Sequence, residues 1–181
     1  MSITPQRLAE LGKVYRSGLL ENCIPFWLRH GFDHEHGGML TALDERGVVI
    51  DTDKSVWFQG RAAWTFANLY NTVEKNPVWL EVSRSCLAFL RDRCRGIDGK
   101  LYFTVTREGR PLRMRRYVYS ECFAAIAAAA FGKATGDQNA ADEAVRYFST
   151  YLDHSFRMGV MPPKTDPEVR PMKWLAPYMI T

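Results

Sequence analysis

The sequence predicts an all-α fold of stacked helical hairpins, about half of an α/α toroid, with short β-hairpins in its long loops. Three observations predict it. The stretches GGMLTALDERG (37–47) and GKLYFTVTREG (99–109) are two copies of one unit, set roughly 60 residues apart as in repeat architectures. The helix after each copy is apolar on nearly every side, as a helix shielded by others is. In the second of these helices the run AAIAAAA offers only small side chains, so neighbouring helices can approach closely.

The elements follow in order. Thr4 before Pro5 is a cap residue followed by a proline at the first helical position. Leu8, Leu11, Tyr15, Leu19 and Cys23 keep a helical period toward Trp27, with Pro25 kinking or ending the last turn. DHEHGGMLTALDERGVVIDTD is rich in turn formers and alternates like a short hairpin. A helix from about Ser55 to Thr72 comes next, and Asn76-Pro77 caps another through VWLEVSRSCLAFLRDRC. IDGKLYFTVTREGRPL forms the second hairpin and leads into YSECFAAIAAAAFGKATG. Asp137 starts a fifth helix, RMGVMPPKTDPEVR is a proline-rich loop, and Pro171 opens a last helix. Three helix pairs, the last incomplete, do not close a toroid. The expectation is an incomplete protein, or one that covers its open edge by self-association, as a homodimer for example.

Composition bounds the rest. With 181 residues, 46% hydrophobic and 13% aromatic, the chain is one globular domain spanning 1–181. Disorder is excluded by that apolar content and a net charge of only +4. No segment approaches the roughly 20 apolar residues of a membrane helix, and MSITPQRLAELGK lacks the order of a secretory signal. Cys23, Cys86, Cys94 and Cys122 show no paired spacing, so buried, reduced thiols in a cytoplasmic protein are expected. The basic run RPLRMRR (110–116) reads as a solvated hairpin edge rather than a nucleic-acid surface.

The residues that carry chemistry sit on the apolar helices. Trp57, Arg61, Trp64 and Asn68 share one helical face by steps of four, three and four. A buried guanidinium needs a carboxylate partner or an aqueous cavity. Arg61 is therefore either a sugar ligand at the toroid's mouth or half of an ion pair, for example with Glu121. Aromatic rings beside a forked donor suit carbohydrate. Glu121 has two readings as well: an acid favoured by the dipole of its first helical turn, or a pocket residue beside Tyr117, Tyr119 and Ser120. HEH (34–36) before Gly37-Gly38 reads as a capped turn, lacking a third ligand at metal spacing. His30 and His154 fall near helix C-termini, where a cation suits the dipole. Phosphate loops, nucleophile elbows and Ser/His/Asp arrangements are absent, and neither metal nor cofactor is expected.

HEHGGMLTALDERG, DKSVWFQGRAAW, YFTVTREGRPLRMRRYVYSECF and PMKWLAPYMI together resemble the N-acylglucosamine 2-epimerase family, whose relatives include cellobiose 2-epimerases and aldose–ketose isomerases. WFQGR and TREGRP…YSECF are its most specific parts. The resemblance covers almost the whole chain in order, but only the N-terminal half of a family member. It implies an (α/α)6 barrel and an activity that interconverts N-acetylglucosamine and N-acetylmannosamine through C2 deprotonation and reprotonation. Two histidines exchange the protons in that reaction. The resemblance places both beyond residue 181, and none of His30, His34, His36 or His154 matches them. It makes Arg61 a substrate ligand able to stabilise an oxyanion, with Trp57, Tyr119 and Glu121 on the pocket wall. The chain alone is then expected to be inactive. A cellobiose or unmodified-hexose enzyme is the first alternative, and a non-catalytic binding module or truncated pseudogene product the second.

Overall fold

The computed structural model describes residues 4–114, 118–157, 159–160, 165–166, 168–173 and 175–181. Tyr117, Arg115 and Arg116 lie outside the described residues, as does part of the proline-rich loop. The first helix begins as the sequence dictates: α1 (Pro5–Ser17) is capped by Thr4, whose hydroxyl accepts the Arg7 N–H at 3.2 Å. It does not end at Trp27. The helical path continues through a π-helical turn (Gly18–Cys23), α2 (Ile24–Phe26) and a second π-helical stretch (Trp27–Gly31). Pro25 lacks an N–H and its ring crowds the preceding turn; the wider π turns on either side accommodate it without breaking the helix.

Four long helices form the body: α3 (Val56–Thr72), α4 (Pro77–Arg93), α5 (Tyr119–Thr135) and α6 (Gln138–Phe156). Asn76 and Asp137 cap α4 and α6 with side chains that accept the N–H of Val78 and Asn139, as their sequence positions predict. The helices α3 and α5 pack on each other, α4 backs α3, and α6 backs α5. The core lies between these layers, where Ala63, Phe66 and Ala67 meet Val82, Cys86 and Leu90 on one side and Ala124, Ala127 and Ala128 on the other. Each large apolar side chain removed from water there contributes about 1.5–3 kcal/mol. This is the inner and outer alternation of an α/α toroid, present as a partial ring. A five-residue α7 (Ala176–Ile180) closes the described chain. It starts after, not at, Pro171, which follows a turn tied by the Arg170 N–H to the Asp166 carbonyl.

The two loop units repeat in hydrogen-bond detail. In the first, β1 (Ala42–Leu43) pairs with β2 (Val49–Asp51), and Asp44 N–H bonds the Val48 carbonyl at 2.9 Å. In the second, β4 (Thr104–Val105) pairs with β5 (Pro111–Arg113), and Thr106 N–H bonds the Arg110 carbonyl at 2.8 Å. Bridges Phe32–Met39 and Arg95–Leu101 precede them at matching positions. One feature had no sequence signal: β3 (Lys54–Ser55), just before α3, pairs antiparallel with β4 and so adds a third strand to the second unit's hairpin. Strand β5, with Pro111, Leu112 and Arg113 exposed, forms the sheet's edge, as the basic run predicts.

Candidate active site

Val56, Trp57, Gln59, Gly60 and Arg61 each have a task at the start of α3. Val56 N–H bonds the Phe103 carbonyl at 3.1 Å, anchoring the helix to the second hairpin. Gln59 is fully buried and clamps the first hairpin: its Oε1 accepts Met39 N–H and its Nε2 donates to the Met39 carbonyl, both at 2.7 Å. Gly38 must be glycine beside it, because a Cβ there would lie 2.5 Å from Gln59 Oε1 on a backbone at φ +70°. Gly60 permits a close approach of α3 to α5. A Cβ on it would meet Phe123 Cβ, carbonyl carbon and carbonyl oxygen at 2.7, 2.8 and 2.9 Å. One residue later the exposed Arg61 lays its guanidinium over the Phe123 ring, 4.4 Å from the centroid.

The ion pair of the alternative reading is not formed. Glu121 is buried, 1% exposed, and its Oε1 accepts the Leu101 N–H at 3.0 Å. That bond is the second unit's version of the Gln59 clamp, since Leu101 stands in its hairpin where Met39 stands in the first. Other corresponding positions meet across the seam between α3 and α5. Trp57 faces Tyr119 with ring centroids 5.6 Å apart, just as Arg61 faces Phe123. Half-buried Trp57 also packs edge-on to Phe103 at 5.1 Å and against Phe123 at 5.8 Å. Burial raises the Tyr119 phenol above its usual pKa, with a smaller push from Tyr151, so it stays protonated near neutrality. Below these rings Trp64 and Ile126 continue the two helix faces, 40% and 39% exposed. The result is an open aromatic wall that carries exposed Arg61 on Phe123 and exposed Arg113 on Phe103, the latter 5.1 Å from the ring centroid.

A buried charge knot holds the hairpins above this wall. Asp33 accepts Lys54 Nζ at 2.8 Å, both Arg107 Nε and a terminal Arg107 nitrogen at 2.9 Å, and the N–H groups of Glu35 and His36. Burial alone would raise the Asp33 pKa; its bonds from Arg107, Lys54 and the His36 N–H outweigh that and hold the carboxyl far below the usual range. Burial lowers the Lys54 pKa, opposed by Asp33. HEH is thus a turn tied to Asp33. His154 Nδ1 lies 2.7 Å from the Thr150 carbonyl in the last turn of α6, and His30 packs on Phe26 in its own last turn. Sequence reasoning missed Phe103 and Phe123. The repeat carried the signal for Phe123, which occupies in the second unit the place of Arg61 in the first.

The layered helices with paired hairpins define a protein of the α/α-toroid class. The N-acylglucosamine 2-epimerase (GlcNAc 2-epimerase) family matches residues 37–179, and the chain belongs to that family. It is 37% identical over 130 residues to the N-acylglucosamine 2-epimerase of Homo sapiens, an alignment covering 70% of this chain and 30% of the relative. It is 28% identical over 142 residues to the cellobiose 2-epimerase of Bacteroides fragilis, covering 76% and 36% respectively. The solved cellobiose 2-epimerase from Spirochaeta thermophila superposes with a TM-score of 0.74 at 26% identity, over 82% of this chain and 37% of that one. These matches span about a third of the length of the curated relatives.

Proposed function

We propose that the protein is a sugar 2-epimerase acting on N-acylated hexosamines, and that this chain supplies the substrate-orienting wall of its site. The observation that carries the reading is Arg61: an exposed guanidinium on the inner helix face, set on an aromatic ring and without an ion pair among the described residues. Removal of the C2 proton from an open-chain sugar moves negative charge onto the aldehyde oxygen. A fixed guanidinium offers that oxygen two parallel N–H donors, stabilising charge as it develops. Trp57 and Tyr119 give flat faces for the sugar. Glu121 holds Leu101, and so the second hairpin, behind the wall. The two proton transfers fall to groups outside residues 1–181, where the family resemblance sets its histidines.

The setting is cytoplasmic in this reading. All four cysteines are free; Cys86, Cys94 and Cys122 are buried as expected, but Cys23 is exposed on the π-helical turn after α1. Burial pushes the Cys86 thiol up to about 12, which makes it inert. No described helix is long and apolar enough to cross a membrane. Exposed Leu8, Val14 and Tyr15 on α1 and Val145 and Phe148 on α6 are expected to drive self-association.

The test is a panel of N-acetylmannosamine, cellobiose and mannose. Binding is followed by the Arg61 side-chain resonance, and turnover by loss of the C2 proton signal in heavy water. Preferential binding of N-acetylmannosamine is expected, without exchange by the chain alone. Preference for cellobiose or mannose would move the protein to the cellobiose 2-epimerase or aldose–ketose isomerase reading. Binding of none of the three would leave only a non-catalytic module.

A further inference from the structure

Arg61 differs from the protein's other arginines near carboxylates in how it is held. Arg91 and Arg107 are fixed by bidentate bonds to Glu143 and Asp33, which occupy the guanidinium's in-plane donors. Arg61 makes no ion pair or side-chain hydrogen bond among the described residues; its partner is the face of the Phe123 ring at 4.4 Å. A ring takes only the π-face of a guanidinium and leaves every N–H free to donate.

Phe123 is itself fixed. Its backbone touches α3 at Gly60, where even a methyl group would lie 2.7 Å from Phe123 Cβ. Its ring packs against Trp57, whose neighbours are Phe103 and Tyr119. The glycine thus sets the spacing between the helices, and the spacing puts ring and cation in register.

We propose that Phe123 is a positioning residue for substrate: it orders the Arg61 guanidinium by its face and presents the open fork to a sugar oxygen. The inference rests on the reading of Arg61 as a sugar ligand. It names a residue that orders this ligand without consuming its donors, as a carboxylate would. An aliphatic side chain at 123 would leave Arg61 to sample many rotamers and order it only when sugar binds.

The experiment compares the wild-type chain with Phe123→Leu, Phe123→Met and Phe123→Tyr. It reads the Arg61 Nε–Hε and Cδ proton resonances, the dissociation constant for N-acetylmannosamine and the melting temperature. In the wild type the Arg61 protons are expected to carry an upfield ring-current shift. Leu should abolish that shift and weaken sugar binding about two- to fivefold, the worth of one exposed cation–π contact. Tyr should restore both. Met, closer in length to Phe, carries the comparison if Leu fails to fold. A folded Leu or Met variant that binds the sugar as tightly as wild type overturns the proposal, whether or not the resonance moves. Absence of sugar binding by the wild type defeats instead the ligand reading of Arg61, and the positioning role falls with it.

Discussion

Replacing Gly60 by alanine tests the seam on which the site is built. In an open helix this substitution is stabilising, because alanine is the better helix former by about 1 kcal/mol. At Gly60 the added methyl group meets Phe123 Cβ, carbonyl carbon and carbonyl oxygen at 2.7, 2.8 and 2.9 Å, against about 3.4 Å for ordinary contact. Two of those atoms are main chain in the second turn of α5 and cannot rotate aside, so α3 and α5 must separate. Overpacking of this kind costs about 1–3 kcal/mol, and the propensity gain offsets part of it. A net loss of up to about 2 kcal/mol lowers the melting temperature of a domain this size by up to roughly 8 °C. Thermal unfolding followed by far-UV circular dichroism reads the change. Gly12 is the internal control: it lies in α1 with nothing within 4 Å of its added Cβ, so Gly12→Ala should raise local helicity instead. A Gly60→Ala protein as stable as wild type, or more so, would refute the claim that this glycine sets the helix spacing.

Three further outcomes are expected. Gln59→Ala strands the buried Met39 N–H and carbonyl and should cost about 2–4 kcal/mol, read as a lower urea midpoint. Arg61→Ala should leave the unfolding free energy within about 0.5 kcal/mol of wild type, since the side chain is exposed and has no ion pair among the described residues, while abolishing sugar binding. A large stability loss there would return Arg61 to a structural role. Acid should loosen the hairpins through Asp33. Its folded pKa is depressed, so its stabilisation is complete above the unfolded value near 4 and drains as pH falls below that. The Asp33→Asn protein should therefore be less stable at neutral pH and show a flatter acid limb in melting temperature against pH.

Much of the fold was legible because its signals are local. Thr4-Pro5, Asn76-Pro77 and Asp137 are caps that work within one turn, and the helices start where those residues stand. The hairpins were legible because Gly47 and Gly109 close equivalent turns in two copies of one unit, at φ +86° and +97°. What escaped depended on partners distant in sequence. Nothing near Lys54 announces a strand; its pairing with Val105 is set by the second unit. The helical wheel placed Arg61 and Trp57 on one face correctly, but burial on that face depends on α5. Arg61 proved exposed and Glu121 buried, and the ion pair between them gave way to a carboxylate that holds a backbone N–H. Nothing near Arg107 in the sequence points to its partner either, because Asp33 is contributed by the other loop.

The repeat also explains why the candidate site falls where it does. Gln59 and Glu121 occupy corresponding places in α3 and α5 and do the same structural work, each holding a hairpin N–H. Positions that serve the fold have thus kept their task in both copies. Two residues before each clamp stand Trp57 and Tyr119, and two residues after it stand Arg61 and Phe123. These positions differ between the copies, and they touch one another across the seam. A symmetric pair of arginines there would repel, and a symmetric pair of phenylalanines would offer a sugar no directed donor. An arginine against a phenylalanine avoids both faults: the ring orders the cation without taking its hydrogen bonds. The divergence of the two copies at these positions, set against their shared task at the clamps, is what the proposed sugar-orienting role of this seam accounts for.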